Sequence, residues 1–240
     1  MTDETFRPPL PGTQPAYAHV PYRSTHARAP SLAPLAWPAT ATEATGPRFQ
    51  PAHFPPMADL TAAGPTPPMG ERIIVAGTVT DEDGRPVANT MVEIWQANAA
   101  GRYNHPGDTH DAPLDPAFRG EGRVFTDADG AYRIVTIRPG AYPWGNHPNA
   151  WRPSHIHFSL FGSAFAQRLI TQMYFPGDPL LDLDPIYHAA PDAAARERLV
   201  SRFDIGLTQQ GYALGYRFDI VLRGRGATPM QTPDEHEEAH

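Results

Sequence analysis

The sequence predicts an all-β protein, a two-sheet β-sandwich with an extended proline-rich N-terminal arm and one short helix near the C-terminus. Three observations carry this prediction. Runs rich in β-branched and aromatic residues recur over residues 71–225, each bounded by Gly, Asp, Asn or Pro, the punctuation of turns. Only Asp192–Phe203 pairs an alanine-rich composition with an apolar stripe at helical spacing, formed by Leu199, Val200 and Phe203. Residues 1–70 hold fifteen of the 29 prolines, which fix φ and lack an amide donor, so this stretch is neither a helix nor a central strand.

Phe6, Tyr17, Tyr22, Leu35, Trp37, Phe49, Phe54 and Met57 are too many large apolar groups for a free linker. The arm is therefore expected to pack on its own domain or on a partner subunit. Order begins with Arg72–Thr80, a β-branched run closed by Asp81-Glu82-Asp83-Gly84. Thr90–Gln96 alternates apolar and polar residues, the pattern of a half-buried strand. Val124–Thr126 and Tyr132–Ile137 flank Asp127-Ala128-Asp129-Gly130 and read as a hairpin, with Gly130 free to take a positive φ. Further strands are expected at 155–161, 169–175 and 216–222. Between the second strand and the third lie residues 98–122, about 25 residues rich in Gly, Asn, Asp and Pro that carry Tyr103 and His105; a loop of this length in a compact domain is usually functional. Residues 226–240 form an acidic tail with Asp234, Glu235, Glu237 and Glu238.

The chain has no run of eighteen apolar residues and no charged-then-apolar leader, so it reads as soluble and cytoplasmic. With zero cysteines, disulfides, Cys-ligated zinc, iron–sulfur clusters and thiol nucleophiles are excluded. A net charge of -7 argues against a nucleic-acid partner.

The chemistry concentrates in Trp151-Arg152-Pro153-Ser154-His155-Ile156-His157-Phe158 and in the preceding Arg138-Pro139-Gly140-Ala141-Tyr142-Pro143-Trp144. On a strand, alternate side chains share a face, so His155 and His157 point one way while Ile156 and Phe158 point the other. Taken alone, His-x-His fits the polar face of a sheet as well as a pair of metal ligands. Arg152, Tyr142 and the nearby Trp144 and Trp151 shift the balance towards a walled pocket with a metal and a substrate anion. His-Glu-x-x-His, Gly-x-Ser-x-Gly and a phosphate-binding glycine loop are all absent. Phenolate is a hard anionic donor and suits a trivalent cation such as ferric iron better than Zn²⁺ or Mg²⁺. The residues by themselves lead as far as a His/Tyr metal site.

Three blocks, Trp95–Tyr103, Arg138–Trp144 and Trp151–Phe158, resemble in order and content the signature of the intradiol ring-cleavage dioxygenases. The likeness runs from about Tyr22 to Gly224 and includes Gly70–Gly77, Ala112–Pro116 and Tyr216–Gly224. The proline-rich arm stands where catechol-cleaving members carry a helical dimerisation segment, which points to the protocatechuate-cleaving branch. The resemblance implies one Fe(III) per chain, held by Tyr103, Tyr142, His155 and His157 with a hydroxide, Tyr142 and His157 being axial and Tyr103 and His155 equatorial. It implies that Tyr142 and the hydroxide take the substrate's two protons and that Arg152 stabilises charge on the ring carbon that O₂ attacks. Tyr22, Trp144, Gln172 and Ile186 would line the substrate pocket. A homologous α subunit would complete that pocket in a hetero-oligomer and supply the partner of the ring carboxylate. The expected activity is O₂-dependent cleavage of protocatechuate to 3-carboxy-cis,cis-muconate in the β-ketoadipate route of aromatic catabolism. Cleavage of another catechol such as hydroxyquinol, or a metal-free scaffold subunit, are the alternatives. Ser154 stands where the family pattern has alanine, a small change expected to spare the site.

Overall fold

The computed structural model describes residues 10–23, 25, 32, 53–62, 64–161 and 168–231. Phe6, Leu35, Trp37, Phe49 and the acidic residues 234–238 lie outside these segments. The chain forms β1 (Arg72–Thr80), β2 (Met91–Trp95), β3 (Glu121–Phe125), β4 (Ala131–Ile137), β5 (Tyr142–Pro143), β6 (Trp151–Arg152), β7 (His155–Phe161), β8 (Arg168–Tyr174), β9 (Arg202–Phe203), β10 (Leu214–Arg217) and β11 (Ile220–Val221). One sheet runs β11-β1-β10-β9 with β4 on the other edge of β1, the second runs β3-β2-β7-β8, and β5 and β6 make a separate ribbon.

The two larger sheets face each other across one core. Ile73, Val75 and Val79 of β1 and Tyr132 and Ile134 of β4 meet Val92 and Ile94 of β2, Ile156, Phe158 and Leu160 of β7, and Met173 of β8. These residues alternate along their strands with outward-facing ones, the requirement for a sheet that buries one face. Ile156 and Phe158 turn into this core, leaving His155 and His157 to the opposite side of β7.

Several expectations need correction. Residues 124–126 and 132–137 are not a hairpin: β3 pairs with β2, and β4 pairs with β1 in the other sheet. The Asp127 carboxylate accepts from the amides of Asp129 and Ala131 and so fixes the reversal, but a local turn does not choose ladder partners. The helix expected over Asp192–Phe203 spans only Ala193–Glu197, capped by the Asp192 carboxylate on the Ala195 amide; the Tyr174 backbone captures Leu199 and Ser201, and Arg202–Phe203 becomes an edge strand. A second short helix, Pro185–His188, was not anticipated. The strand expected over 216–222 divides at Phe218–Asp219, where Asp219 accepts from both the amide and the hydroxyl of Thr78.

Residues 227–231, assigned above to the tail, lie against the sandwich: Ala227 and Thr228 are buried, and the Gln231 amide donates to the Ile170 carbonyl. Among the described residues no helix is long and apolar enough to cross a membrane.

Candidate metal centre

Two loops bring the phenols together. The Asn98 side chain accepts from the amides of Ala100 and Arg102 and donates to the Pro113 carbonyl, while its backbone carbonyl takes the amides of Gly101 and Gly140. The chain at Ala99–Gly101 thus lies directly on the chain at Gly140–Tyr142. Gly101 has φ of +80°, and a Cβ there would overlap the Ala141 carbonyl, so glycine is required both by conformation and by space. The Tyr103 and Tyr142 rings then meet edge to face at 5.4 Å. Asp108 holds the far side of the first loop by accepting from the amides of Tyr103 and His110.

Strand register brings the imidazoles to the same place. In the β2–β7–β8 ladder His157 stands opposite Trp95 on one side and Gln172 on the other, and His155 stands opposite Tyr174. In the small ribbon Tyr142 stands opposite Arg152. The result is a pair of close contacts: Tyr142 Oη lies 3.2 Å from His155 Nε2, and Tyr103 Oη lies 3.1 Å from His157 Nε2. The two imidazole rings are 4.9 Å apart.

The outer nitrogen of each ring is already engaged. His155 Nδ1 lies 2.7 Å from the Pro153 carbonyl, which can only accept, so Nδ1 carries the proton and Nε2 presents its lone pair. His157 Nδ1 is 3.2 Å from Gln231 Oε1 and follows the same pattern. Burial, reinforced by the Arg152 charge and by His157, holds His155 well below the usual histidine range, so the ring is neutral at pH 7.

This donor set fits a metal. Two ligands about 2.1 Å from one ion and at right angles to each other are about 3 Å apart, which matches the phenol–imidazole spacings. Such a spacing also suits an O–H···N hydrogen bond. What separates the two is convergence, because two imidazoles, each with its Nδ1 engaged from outside, and two phenols face one another. Among the described residues no three His, Asp or Glu side chains gather as a metal-holding group, so an ion here would need phenol oxygen.

Beside the four rings, opposite Tyr142 in the small ribbon, sits Arg152, only 1% exposed. Its Nε and one terminal nitrogen donate to Asp184 Oδ2 at 3.2 and 3.1 Å, and the latter nitrogen also reaches Gln172 Oε1 and the Tyr174 hydroxyl. The guanidinium lies over Trp144 at 5.2 Å, and the Tyr22 ring stacks on Trp144 at 5.5 Å. Asn146 locks the arm in this position by accepting from the Arg23 amide and donating to the Pro21 carbonyl.

A cleft of about 670 Å³ opens over the site, walled by Tyr103, Tyr142, Trp144, Arg152, His157 and Trp95 among others. His155 lies behind this wall, 2% exposed. Three residues expected to line the pocket sit one layer back: Tyr22 behind Trp144, Gln172 behind Arg152, and Ile186 in the short helix that starts at the acid holding Arg152. Asp184, Asp108 and Gln231 did not stand out in the sequence. Asp-Pro at 184–185 is a legible helix start, but nothing in the sequence tells that its carboxylate also reaches Arg152, 32 positions away.

Residues 44–224 match the family model described as Dioxygenase. The chain is 58% identical over 222 residues, 91% of its length and 94% of the relative's, to the protocatechuate 3,4-dioxygenase beta chain of Burkholderia cepacia. It belongs to the intradiol ring-cleavage dioxygenases. Catechol 1,2-dioxygenase of Candida albicans is 33% identical over 169 residues, and the chain spans only 53% of that relative. Among solved structures, the dioxygenase domain of a dioxygenase–carbohydrate-binding fusion from Streptomyces sp. SirexAA-E superposes with a TM-score of 0.50 at 30% identity, over 74% of this chain and 94% of that one. Hydroxyquinol 1,2-dioxygenase of Pseudomonas putida DLL-E4, at TM-score 0.54 and 24% identity over 75% of this chain and 64% of that one, shares the fold. Intradiol dioxygenases are iron enzymes, and the Tyr/His cluster is this member's candidate for that role.

Proposed function

We propose that this intradiol dioxygenase is the iron-bearing subunit of a cytoplasmic protocatechuate 3,4-dioxygenase, with Fe(III) held by Tyr103, Tyr142, His155 and His157. The observation that carries the reading is the paired approach of two phenols to two imidazoles at 3.1 and 3.2 Å, with Tyr103, Tyr142 and His157 at the cleft and His155 just behind them. Identity to the Burkholderia cepacia beta chain supports protocatechuate as the substrate, and the name of that relative supports a homologous α partner. In the overall reaction the bond between the two hydroxyl-bearing ring carbons breaks, each becomes a carboxyl carbon, and both atoms of O₂ end in 3-carboxy-cis,cis-muconate.

Bound ferric iron would supply a Lewis acid that holds the catechol as its doubly deprotonated, electron-rich form and activates it towards O₂. The protein's own groups set the stage for that chemistry. Tyr142, which lines the cleft, would as the metal-held phenolate take a proton from one substrate hydroxyl. Trp144, backed by Tyr22, gives the ring an aromatic wall. Arg152 keeps a permanent positive charge in a dry setting, where it stabilises negative charge on the attacked carbon. Pocket closure and the partner of the ring carboxylate are assigned to the α subunit.

The reading is tested by O₂ uptake and product analysis with the αβ complex on a panel of protocatechuate, catechol and hydroxyquinol. One O₂ consumed per protocatechuate, with both isotopic oxygens in the tricarboxylate product, is the expected result. Faster turnover of hydroxyquinol would reassign the substrate, and no uptake with any of the three would contradict the enzyme reading.

A further inference from the structure

The Asp184 carboxylate is fully buried and divides its oxygens between two tasks. Oδ1 accepts the Ile186 amide at 2.9 Å and caps the helix Pro185–His188, while Oδ2 accepts both Nε and a terminal nitrogen of Arg152. A guanidinium this deeply buried is sustained only by a partner of opposite charge, and removing one member of such a pair leaves the other uncompensated. The carboxylate takes two N–H groups on one edge of the guanidinium, so it determines the direction of the plane that lies over Trp144. Through the cap, the same group fixes where Ile186 begins its helix.

On the proposed ring-cleavage reading, we infer that Asp184 is a positioning residue for catalysis: it aims Arg152 at the reacting ring and ties that aim to the placement of the Ile186 helix. Its action runs through Arg152, and it touches neither the substrate nor the metal donors.

The experiment uses the αβ holoenzyme with protocatechuate. Asp184→Asn keeps an N-cap oxygen but removes the charge. Asp184→Glu keeps the charge, and with it the buried pair, but displaces the carboxylate by one methylene. Each variant is expected to lose kcat by about 10- to 100-fold with KM changed far less, the behaviour of a misaimed group that acts on the transition state. In an Arg152→Met background the further change Asp184→Asn is expected to have an effect within about twofold, because residues that act as one unit are not additive. If Asp184→Asn fails to fold, Asp184→Glu alone decides. Wild-type-like kcat in the folded variants, or an equally large loss in the Arg152→Met background, would overturn the inference. Absence of ring cleavage by the unmodified complex would instead sink the functional reading on which it rests.

Discussion

Trp95 lies face to face with His157, ring centroids 4.7 Å apart and planes 7° from parallel. The two are direct cross-strand neighbours in the β2–β7 ladder, so the stack follows from register rather than from any flexible loop. With Gln231 on Nδ1, the His157 ring is fixed both in plane and in rotation. Trp95→Ala should therefore leave the sandwich folded but weaken iron retention by about 10- to 100-fold, the usual effect of losing an outer support of a ligand. Competition with a chelator measures it, and unchanged retention would show that Gln231 alone suffices.

Gly101→Ala tests how the two tyrosines are brought together. The new methyl would meet the Ala141 carbonyl in a backbone conformation that disfavours side chains. The expected loss is about 2 kcal/mol or more of stability, with diminished iron content, as the Ala99–Gly101 and Gly140–Tyr142 segments separate. Denaturant unfolding and metal analysis give the two readouts.

Single donors should matter unequally in colour but alike in activity. Tyr103→Phe removes one of the two proposed phenolate donors and should lower the visible charge-transfer intensity, while His155→Ala should lose iron outright or nearly so. Both are expected to reduce ring cleavage by at least about 100-fold, as for groups that contact the reacting assembly. Full iron and full activity in either variant would count heavily against the ligand set.

Alkaline stability has a separate origin, in Tyr132. Burial, with the Asp219 charge adding and Arg217 opposing, pushes the Tyr132 hydroxyl well above its ordinary range, and it donates to the Phe218 carbonyl. The folded pKa is raised above the unfolded value of about 10, so the unfolded chain releases this proton first. Stability is therefore present in full below about pH 10 and is lost as pH rises beyond it. Tyr132→Phe should cost about 1 kcal/mol at pH 7 and flatten the decline above pH 10, as urea titrations at a series of pH values would show.

The sequence made the strands of the core legible because their β-branched runs alternate, and it made His155 and His157 co-facial because strand parity is a local rule. The Asp127 turn was equally clear, yet the sheets to which β3 and β4 belong were not, since both strands carry core residues and partner choice is a long-range matter. The helix at 193–197 is shorter than its alanine run suggests, because the Tyr174 backbone competes for Leu199 and Ser201. Of the candidate site, the rings were visible in the motifs, while the supports were not: Asp184 and Gln231 reach partners 32 and 74 positions away, and Asp108 is one of several acids in a loop of irregular conformation. Ser154 shows the same limit, because its hydroxyl donates to the Pro139 carbonyl and ties the Tyr142 loop to the histidine strand.

The most direct measurement is the visible absorption spectrum of the chain purified with the proposed α partner and supplied with iron, before and after anaerobic addition of protocatechuate. A broad tyrosinate-to-Fe(III) charge-transfer band that shifts when the catechol is added is the predicted result, reporting metal, phenolate ligation and chelation of substrate together. A colourless protein that binds zinc or no metal under those conditions would contradict the proposed centre.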